Sequence, residues 1–267
     1  MQIRNFQKRI YDHYRVCARD LAWRRTRDPY HIFISEVMLQ QTQAESVRPK
    51  YKRFVAAIPD FRALSKAPLR KILSLWKGLG YNRRALYLKR SAEIVMRDHG
   101  GALPADVEEL AKLPGVGRAT ASAIAAYAFN KSVVFIETNI RRTFIHHFFK
   151  GREDVSDKEI LPFVARMLDR KNPRKWYNAL MDYGAMLKKR YPNPNRRSRR
   201  YLRQAPFAGS DREIRGKILE ALLARPKLSE CAIETALPFD CARSRRCLGD
   251  LEREGLLRSR RGFWTIA

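Results

Sequence analysis

Apolar residues recur at helical spacing along most of the chain, and strand-like alternation is nearly absent before the C-terminal end. Asp28 followed by Pro29 predicts a helix N-terminus, because aspartate caps helices and proline suits the first turn. The apolar stripe of the helix that follows consists of Tyr30, Phe33, Ile34, Val37 and Met38. Further helices are predicted over 69–76, 83–98, 107–113 and 120–129. The pattern therefore predicts an all-α protein.

The C-terminal region, residues 211–267, is predicted to form a separate small domain. Its helices are expected over 211–223, 229–237 and 240–254, with Asp211, Ser229 and Asp240 as their caps. Two short strands are expected after them, around a turn at Arg261–Gly262. Three helices and a hairpin of this size resemble a winged helix. Two interpretations of Arg243, Arg245 and Arg246 on the third helix stay open: a DNA-reading helix, or a protein-docking module with solvated arginines.

The charge of the 267-residue chain is strongly one-sided, with 55 Lys and Arg against 27 Asp and Glu and a formal net charge of +28. Such a surplus indicates a polyanionic partner, with nucleic acid ahead of an anionic membrane surface or a ribosomal or chromatin-like scaffold. No apolar run approaches the roughly 20 residues of a membrane span, and residues 1–10 lack the apolar region of a signal peptide. Hydrophobic residues make up 45%, enough to build a folded core.

A basic segment over residues 188–203 interrupts the helical pattern and contains prolines. Its cations are Lys188, Lys189, Arg190, Arg196, Arg197, Arg199, Arg200 and Arg203. Like charges at this density need counter-charges, so a loop that grips DNA phosphates is favoured over a solvated linker.

Cysteine and histidine spacing predicts no metal site. Cys17, Cys231, Cys241 and Cys247 lack the spacing of metal ligands, and reduced thiols in a cytoplasmic protein are expected. His146 and His147 are adjacent, so on a helix they point in different directions.

A glycine-rich turn between two predicted helices forms the first functional motif, LPGVGRAT over residues 113–120. The glycines permit unusual backbone angles, and the amides at the start of the outgoing helix form an anion-binding nest. A DNA phosphate fits there, with a monovalent cation possible at the carbonyls. The expected DNA-binding residues of the turn are Gly115, Val116, Gly117, Arg118 and Thr120. The alternative is a plain helix–helix turn.

Two glutamates are candidates for paired acid and base chemistry. Glu36 has Ile32 and Leu39 as helical neighbours, which predicts partial desolvation, a raised pKa and a protonated carboxyl group. The alternative is a surface glutamate on an amphipathic helix, which composition alone favours. Glu137 follows the apolar run Val133–Ile136 and precedes a helix, so its carboxylate is expected to stay ionised; the alternative is a helix cap. Such a pair suits glycosidic bond hydrolysis, where one group protonates the leaving group and the other faces the cationic sugar.

Residues from about Leu21 to Met186 resemble the helix-hairpin-helix DNA glycosylases, specifically the MutY-type adenine glycosylases. The matching stretches are AWRRTRDPYHIFISEVMLQQT, LWKGLGYNRRALYL, LPGVGRATASAI and NALMDYGAML. The resemblance implies two helical domains with the active site between them and a target base flipped out of double-stranded DNA. The implied domains are residues 1–22 with 131–205, a six-helix domain over 23–130, and the winged-helix-like domain over 211–267.

The resemblance also implies residue roles. Glu36 matches the acid that protonates adenine N7, and Asn139 matches the asparagine that supports the second acid. Glu137 falls where the family has an aspartate, so its side chain is one methylene longer. The other matched DNA-facing positions are Arg24, Leu39, Gln41 and Tyr81, with Gln41 and Tyr81 beside the opposite, oxidised guanine.

Three departures from the family pattern shape the expected chemistry. Ala119 stands where bifunctional relatives carry a Schiff-base lysine, so no lyase step is expected. The family's four cluster-ligating cysteines fall on Lys188, Asn195, Ser198 and Gln204, so no iron–sulfur cluster is expected. The family's Nudix-like C-terminal domain is replaced by the winged-helix-like one.

The leading hypothesis is a monofunctional glycosylase of base excision repair that removes adenine opposite G or 8-oxoguanine, acting as a monomer in the cytoplasm, nucleoid-associated in a prokaryote. A second hypothesis is a glycosylase of the same fold for T or U opposite G, or for hypoxanthine. A third is a non-catalytic binder of DNA lesions or structures. Membrane binding is not expected.

Overall fold

The computed structural model describes residues 2–267, which form α-helices and one small sheet. The helices are α1 (Ile3–Cys17), α2 (Pro29–Leu39), α3 (Ala44–Ala57), α4 (Phe61–Lys66), α5 (Leu69–Trp76), α6 (Arg83–Asp98), α7 (Val107–Ala111), α8 (Arg118–Phe129), α9 (Thr138–Phe148), α10 (Asp157–Met167), α11 (Pro173–Arg190), α12 (Asp211–Ala224), α13 (Glu230–Ala236) and α14 (Cys241–Arg253). The strands are β1 (Leu228–Ser229), β2 (Leu257–Arg260) and β3 (Phe263–Ile266). The prediction of a helical fold with a short C-terminal hairpin is confirmed.

The start of α2 follows the local rules that the sequence indicated. The backbone N–H of Tyr30 donates to the Asp28 side chain at 2.8 Å, and Pro29 is the first helical residue. This cap satisfies a backbone donor that has no partner inside the helix. Asp106 caps α7 in the same way, accepting from the N–H groups of Glu108 and Glu109.

The chain divides into two compact units. The first contains residues 1–36, 105–112 and 116–203, and the second contains residues 37–104, 113–115 and 204–267. The domain boundaries expected from the sequence stay predictions, because these units are divided at other residues and residues 23–36 group with the first unit.

The first unit has a single apolar core made by α1, α8, α9, α10 and α11. Phe6 on α1 lies at its centre, with its ring 5.4 Å from that of Phe144 and 5.9 Å from that of Trp176. All three residues are fully buried, and Ile32 on α2 belongs to the same cluster. This core fixes the positions of α2, α8 and α9, the helices that carry or follow the candidate catalytic residues. No helix within residues 2–267 is both long and apolar enough to cross a membrane.

The second unit combines α3–α6 with the C-terminal domain. Ser229 and Asp240 cap α13 and α14 as expected, whereas the N-cap of α12 is Ser210 and Asp211 lies in the first turn. The strand order is β1-β3-β2, with both pairings antiparallel. The two-residue strand β1 was not predicted because it is too short to show an alternating pattern. Three helices and this sheet give the winged-helix-like arrangement that the sequence indicated.

Candidate active site

Glu36 lies on α2 with only 9% of its surface exposed, and Ile32, Phe33 and Ile34 before it on the same helix are also buried. Burial and the negative charge of Glu137 raise the pKa of Glu36 well above its usual value, while the nearby charge of Arg24 opposes the shift. A carboxyl group in this environment favours the protonated form. The alternative of a surface glutamate is wrong, because most of α2 packs inside the protein.

Glu137 occupies the N-cap position of α9, but its side chain makes no capping hydrogen bond. The side chain is half-buried, and burial raises its pKa to about 7, with Arg141 acting in the opposite direction. Desolvation therefore has a larger effect on the pKa of Glu137 than the helix N-terminus has, and the expectation that this carboxylate stays ionised stays a prediction. The capping interpretation fails.

The two glutamates influence each other strongly enough to titrate as a pair. Burial and the second carboxylate both raise the pKa of Glu36, whereas Arg141 opposes the effect of burial on Glu137. Neither carboxyl group forms an ion pair within residues 2–267. When one proton is shared, Glu36 therefore holds it and Glu137 carries the charge, which is the division between an acid and an anion that glycosidic hydrolysis requires.

Arg24 lies beside this pair as an internal charge. Its guanidinium binds both oxygens of Asp182, at 2.7 and 2.9 Å, and its side chain is 11% exposed. Arg19 also donates to Asp182, at 2.5 Å. This geometry locks Arg24 in place. The DNA-facing role predicted for Arg24 stays a prediction; in the free protein its visible role is electrostatic, lowering the pKa of Glu36.

Tyr127 on α8 belongs to the same site, although the sequence analysis did not select it. It is 8% exposed, and its ring lies 6.5 Å from that of Phe135, two residues before Glu137. Burial and the charges of Glu36 and Glu137 raise the pKa of Tyr127 well above its usual value. The phenol is therefore a protonated hydrogen-bond donor. A polar tip on the otherwise apolar run of α8 was the signal that could have identified it.

The start of α9 is held tightly from outside the helix. A Cβ atom on Gly184 of α11 would overlap the carbonyl oxygen of Asn139, so only glycine permits this approach of the two helices. The Asn139 side chain accepts a hydrogen bond from Arg142 at 2.5 Å, and Asn195 donates to the Thr138 carbonyl at 2.9 Å. These contacts hold Asn139, two residues after Glu137, in a fixed orientation, and its supporting role stays a prediction.

The helix-hairpin-helix turn has the strained backbone that its glycines predict. Gly115 has φ +74°, and a Cβ atom there would lie 2.5 Å from the Tyr87 ring. Its carbonyl accepts from the Gln40 side chain at 3.0 Å, and the Pro114 carbonyl accepts from Ser91 at 3.2 Å. One carbonyl that the predicted monovalent cation would use is therefore already hydrogen-bonded. The cation stays a prediction.

The N-terminus of α8 follows that turn and has no side-chain cap. Gly117 and Arg118 are exposed, whereas Val116 is 3% exposed and therefore anchors the turn. Uncapped first-turn amides on an exposed helix end can bind an anion. Arg118 forms an exposed ion pair with Glu108 at 2.9 Å, which a phosphate would have to replace.

The predicted probe residues lie in the second unit on two strained loops. Gln41, at the end of α2, has φ 53°, and Tyr81, before α6, has φ 47°. Gln41 is exposed, while Leu39 and Tyr81 are half-buried, and the Gln204 amide donates to the Tyr81 hydroxyl. Left-handed backbone at a non-glycine residue costs free energy and is concentrated at functional sites.

Arg84 holds both loops and was missed by the sequence analysis. It is 7% exposed, and burial lowers its pKa to about 10. Its guanidinium donates to the carbonyls of Val37, Met38, Gln40, Leu79, Gly80 and Tyr81 and to the hydroxyl of Thr42, at 2.6–3.4 Å. Arg84 therefore positions the residues that flank Gln41 and Tyr81. The available signal was an arginine on the apolar face of α6, one turn before the buried Leu88.

The basic segment is an ordered loop and not a solvated linker. Val155 and Arg199 form a backbone hydrogen bond at 3.0 Å, and Arg197 donates to the Phe149 carbonyl at the end of α9. Arg199 pairs with Asp154, and Arg200 with Asp157. Lys188, Lys189 and Arg196 are exposed. The phosphate-binding role of this loop stays a prediction, best supported for these three cations.

The residues at the family's cluster positions do not fit an iron–sulfur cluster, whose ligands are thiolates. Lys188 is an exposed cation. Asn195 and Ser198 are buried: the Asn195 amide donates to the Thr138 carbonyl, and the Ser198 hydroxyl accepts from the backbone N–H of Arg200. Three of the four cysteines are exposed and distributed over both units. No group of three or more His, Cys, Asp or Glu side chains suited to a metal is found among residues 2–267.

Comparisons with known proteins place this site in a class. Residues 34–163 match the model of the HhH-GPD superfamily base excision DNA repair proteins. The chain is 31% identical over 272 residues to the adenine DNA glycosylase of Mycobacterium tuberculosis (strain ATCC 25618 / H37Rv), covering 91% of this chain and 87% of that protein. It therefore belongs to the adenine DNA glycosylase family of that superfamily.

Two other relatives match over a smaller share of this chain and of their own length. The adenine DNA glycosylase of Buchnera aphidicola subsp. Baizongia pistaciae is 36% identical over 171 residues, covering 62% of this chain and 48% of that protein. The adenine DNA glycosylase of Mus musculus is 31% identical over 242 residues, covering 86% of this chain and 46% of that protein. The chain thus spans about half the length of these two relatives.

Solved structures agree on the fold. A thermostable thymine-DNA glycosylase matches with a TM-score of 0.61 and 28% identity, covering 69% of this chain and 86% of that chain. A non-covalent endonuclease III–DNA complex matches with a TM-score of 0.58 and 21% identity, covering 67% of this chain and 83% of that chain. The second likeness concerns the fold alone.

Proposed function

We propose that this protein is a monofunctional DNA glycosylase that removes adenine mispaired with G or 8-oxoguanine. One observation carries the proposal: the buried Glu36 and the half-buried Glu137 form no ion pair among residues 2–267, and the negative charge of Glu137 raises the pKa of Glu36. Unpaired buried carboxyl groups are costly, so their presence in one site indicates function. The family of the chain supplies adenine as the base.

The geometry suits stepwise hydrolysis. Glu36 donates its proton to N7 of the flipped adenine, so that the base leaves with the electrons of its bond to C1′. The ionised Glu137 faces the positive charge that develops on the sugar. Water then attacks C1′, loses its proton to a carboxylate of the pair, and leaves an abasic site.

The absence of a lyase step is part of the proposal. Ala119 carries no amine and lies in the exposed first turn of α8. Without a Schiff base at C1′, the strand stays intact until alkali cleaves the abasic site.

The proposed partner is double-stranded DNA with G or 8-oxoguanine opposite the adenine. The proposal also includes a monomeric protein with a cytoplasmic, nucleoid-associated location. The named relatives are adenine DNA glycosylases, and one fold neighbour is a DNA complex. Gln41 and Tyr81, on the loops that Arg84 holds, are the proposed contacts to the opposite base.

The test is single-turnover excision on duplexes with A opposite 8-oxoguanine, G, C or T, followed by alkali. Wild type should cleave the first two after alkali and none before it. Glu36→Gln should slow cleavage about 10³-fold without loss of folding, measured by circular dichroism. A single-turnover rate that falls less than tenfold in this variant would overturn the assignment of the acid.

A second candidate is excision of thymine or uracil opposite G, favoured by the likeness to a thymine-DNA glycosylase at 28% identity. The same assay with T opposite G and U opposite G separates the two. Binding to mismatched duplexes without excision of any base would instead support a non-catalytic binder.

A further inference from the structure

The three-stranded sheet of the C-terminal domain has one buried and one solvent-facing side. Leu228, Leu257 and Trp264 point to the buried side and are 1–9% exposed. On the other side Arg258 pairs with Thr265, and Arg260 and Ser229 both pair with Phe263. Cross-strand partners share a face, so these five residues form the solvent-facing side.

Four cations and an aromatic ring dominate that side and the adjoining turn. We name this set the wing face: Lys227, Arg258, Arg260, Arg261 and Phe263. The three arginines are exposed, Phe263 is 38% exposed, and the Lys227 ammonium lies 4.0 Å from the centre of its ring. None of the four cations pairs with a carboxylate in the part of the chain that the structure describes.

One acidic residue lies nearby and is otherwise engaged. Glu252 accepts a hydrogen bond from the backbone N–H of Ser259 at 2.9 Å. This hydrogen bond fixes strand β2 and occupies an oxygen of the Glu252 carboxylate.

The arginines of the third helix have the opposite arrangement. Arg243 binds Asp211 at 2.6 Å, and Arg245 binds Glu234 at 2.7 Å. Arg246 also approaches Asp211, at 3.4 Å. The helix that the sequence pattern offered as a DNA reader is thus neutralised within its own domain.

Arg261 gives an independent indication. It has φ 51°, and Gly262 has φ 73°, the backbone of a tight hairpin turn in which Asn, Asp or Gly normally occupies the first position. An arginine there is strained. Because the turn itself does not favour arginine, the positive charge of Arg261 at the exposed tip of the hairpin indicates a binding role.

We propose that the wing face is a second DNA-binding surface that contacts the phosphates of duplex DNA, and that the third helix does not read bases. This inference about the wing face depends on the proposed function only because both take DNA as the partner. Unpaired cations bind phosphates by releasing counterions, whereas cations that already have carboxylate partners gain less. The contacts are independent of sequence and of the lesion.

The experiment measures binding of the full chain to an undamaged duplex of about three helical turns by fluorescence anisotropy over a range of salt concentrations. A wing variant carries Arg258→Gln, Arg260→Gln and Arg261→Gln. Its matched control carries Arg243→Gln, Arg245→Gln and Arg246→Gln. The slope of log affinity against log salt should fall by about 2 to 3 for the wing variant, with little change in the control. Equal slopes for wild type and wing variant, or an equal loss in the control, would overturn the proposal.

Two further arms sharpen the result. Arg261→Gly should raise the melting temperature, because it removes strain, while it lowers the slope by about 0.9; a higher melting temperature with unchanged binding contradicts the role of this arginine. If the wing variant loses more affinity for single-stranded DNA than for the duplex, the duplex assignment is overturned. Excision is assayed separately, so wild type that binds but does not excise contradicts the proposed function alone.

Discussion

Each of the two units of this protein buries an ionisable side chain, and the two side chains have opposite surroundings. Arg84 in the second unit is surrounded by seven hydrogen-bond acceptors on the loops next to it. Glu36 in the first unit is about as buried, but no ion pair to it is found among residues 2–267. A buried charge that is fully hydrogen-bonded stabilises local structure, whereas an unpaired one shifts its pKa and stores reactivity.

This difference separates structural from chemical roles without reference to any relative. Removing the saturated charge should damage the fold, because its acceptors lose their donors. Replacing the unpaired carboxyl group of Glu36 should slow the reaction and leave the fold as stable as before or more stable. The predictions that follow test this contrast.

The largest effect is expected for Glu36→Gln. Loss of the proton donor should reduce the single-turnover excision rate about 10³-fold, within the range of general acid catalysis. The melting temperature should not fall, because the glutamine side chain is neutral and has nearly the same shape as the protonated carboxyl side chain that it replaces. Glu45→Gln, an exposed glutamate in the first turn of α3, is the matched control and should keep the full rate. A reduction of less than tenfold for Glu36→Gln contradicts the assignment.

Arg84→Met should lower the free energy of unfolding by about 3 kcal/mol, because several backbone carbonyls lose their buried donor. Urea unfolding measures this loss. Arg97→Met, at an exposed arginine later on α6, should change it by less than about 0.5 kcal/mol. Similar losses in the two variants would show that Arg84 is not a structural centre.

Glu137→Gln tests the pH dependence of stability. The pKa of Glu137 rises from 4.5 to about 7 on folding, so the native state binds this proton more tightly than the unfolded chain. Its contribution is complete below pH 4.5 and is lost as the pH rises through 7. The variant should therefore exceed wild type in stability by about 1 to 2 kcal/mol at pH 8, and less at pH 5. The same gain at both pH values would contradict a raised pKa.

The smallest effects are expected in the basic loop. Arg197→Gln should cost about 1 kcal/mol, because it removes a hydrogen bond to the end of α9. Arg199→Gln breaks an exposed pair with Asp154 and should cost less than about 0.5 kcal/mol. Thermal unfolding of both variants shows which of them loses more stability. A larger loss for Arg199 would show that surface pairing, and not capping of α9, holds the loop.

Local signals predicted the elements well. Asp28–Pro29 and the stripe of α2 gave that helix correctly, and Ser229 and Asp240 marked the next two caps in the C-terminal domain. Capping and periodicity depend on residues close in sequence, which is why they can be read without a structure.

Long-range features were harder to predict. Arg84 binds carbonyls more than forty residues before it, and Arg24 binds Asp182, 158 residues away. Neither partner could be inferred from spacing. The rise in the pKa of Glu137 could not be predicted for the same reason, because the helix N-terminus is visible in the sequence and the packing that desolvates the carboxyl group is not.

The tight contact between Gly184 and the Asn139 carbonyl has a consequence for how the active site can evolve. With the backbone beside residue 137 fixed by its neighbours, the frame cannot shift to follow a side chain of a different length. Aspartate, the residue that relatives of this type are expected to carry there, would leave its carboxylate short by roughly one C–C bond, about 1.5 Å. Glutamate and aspartate are then not interchangeable at position 137 unless α9 and α11 move.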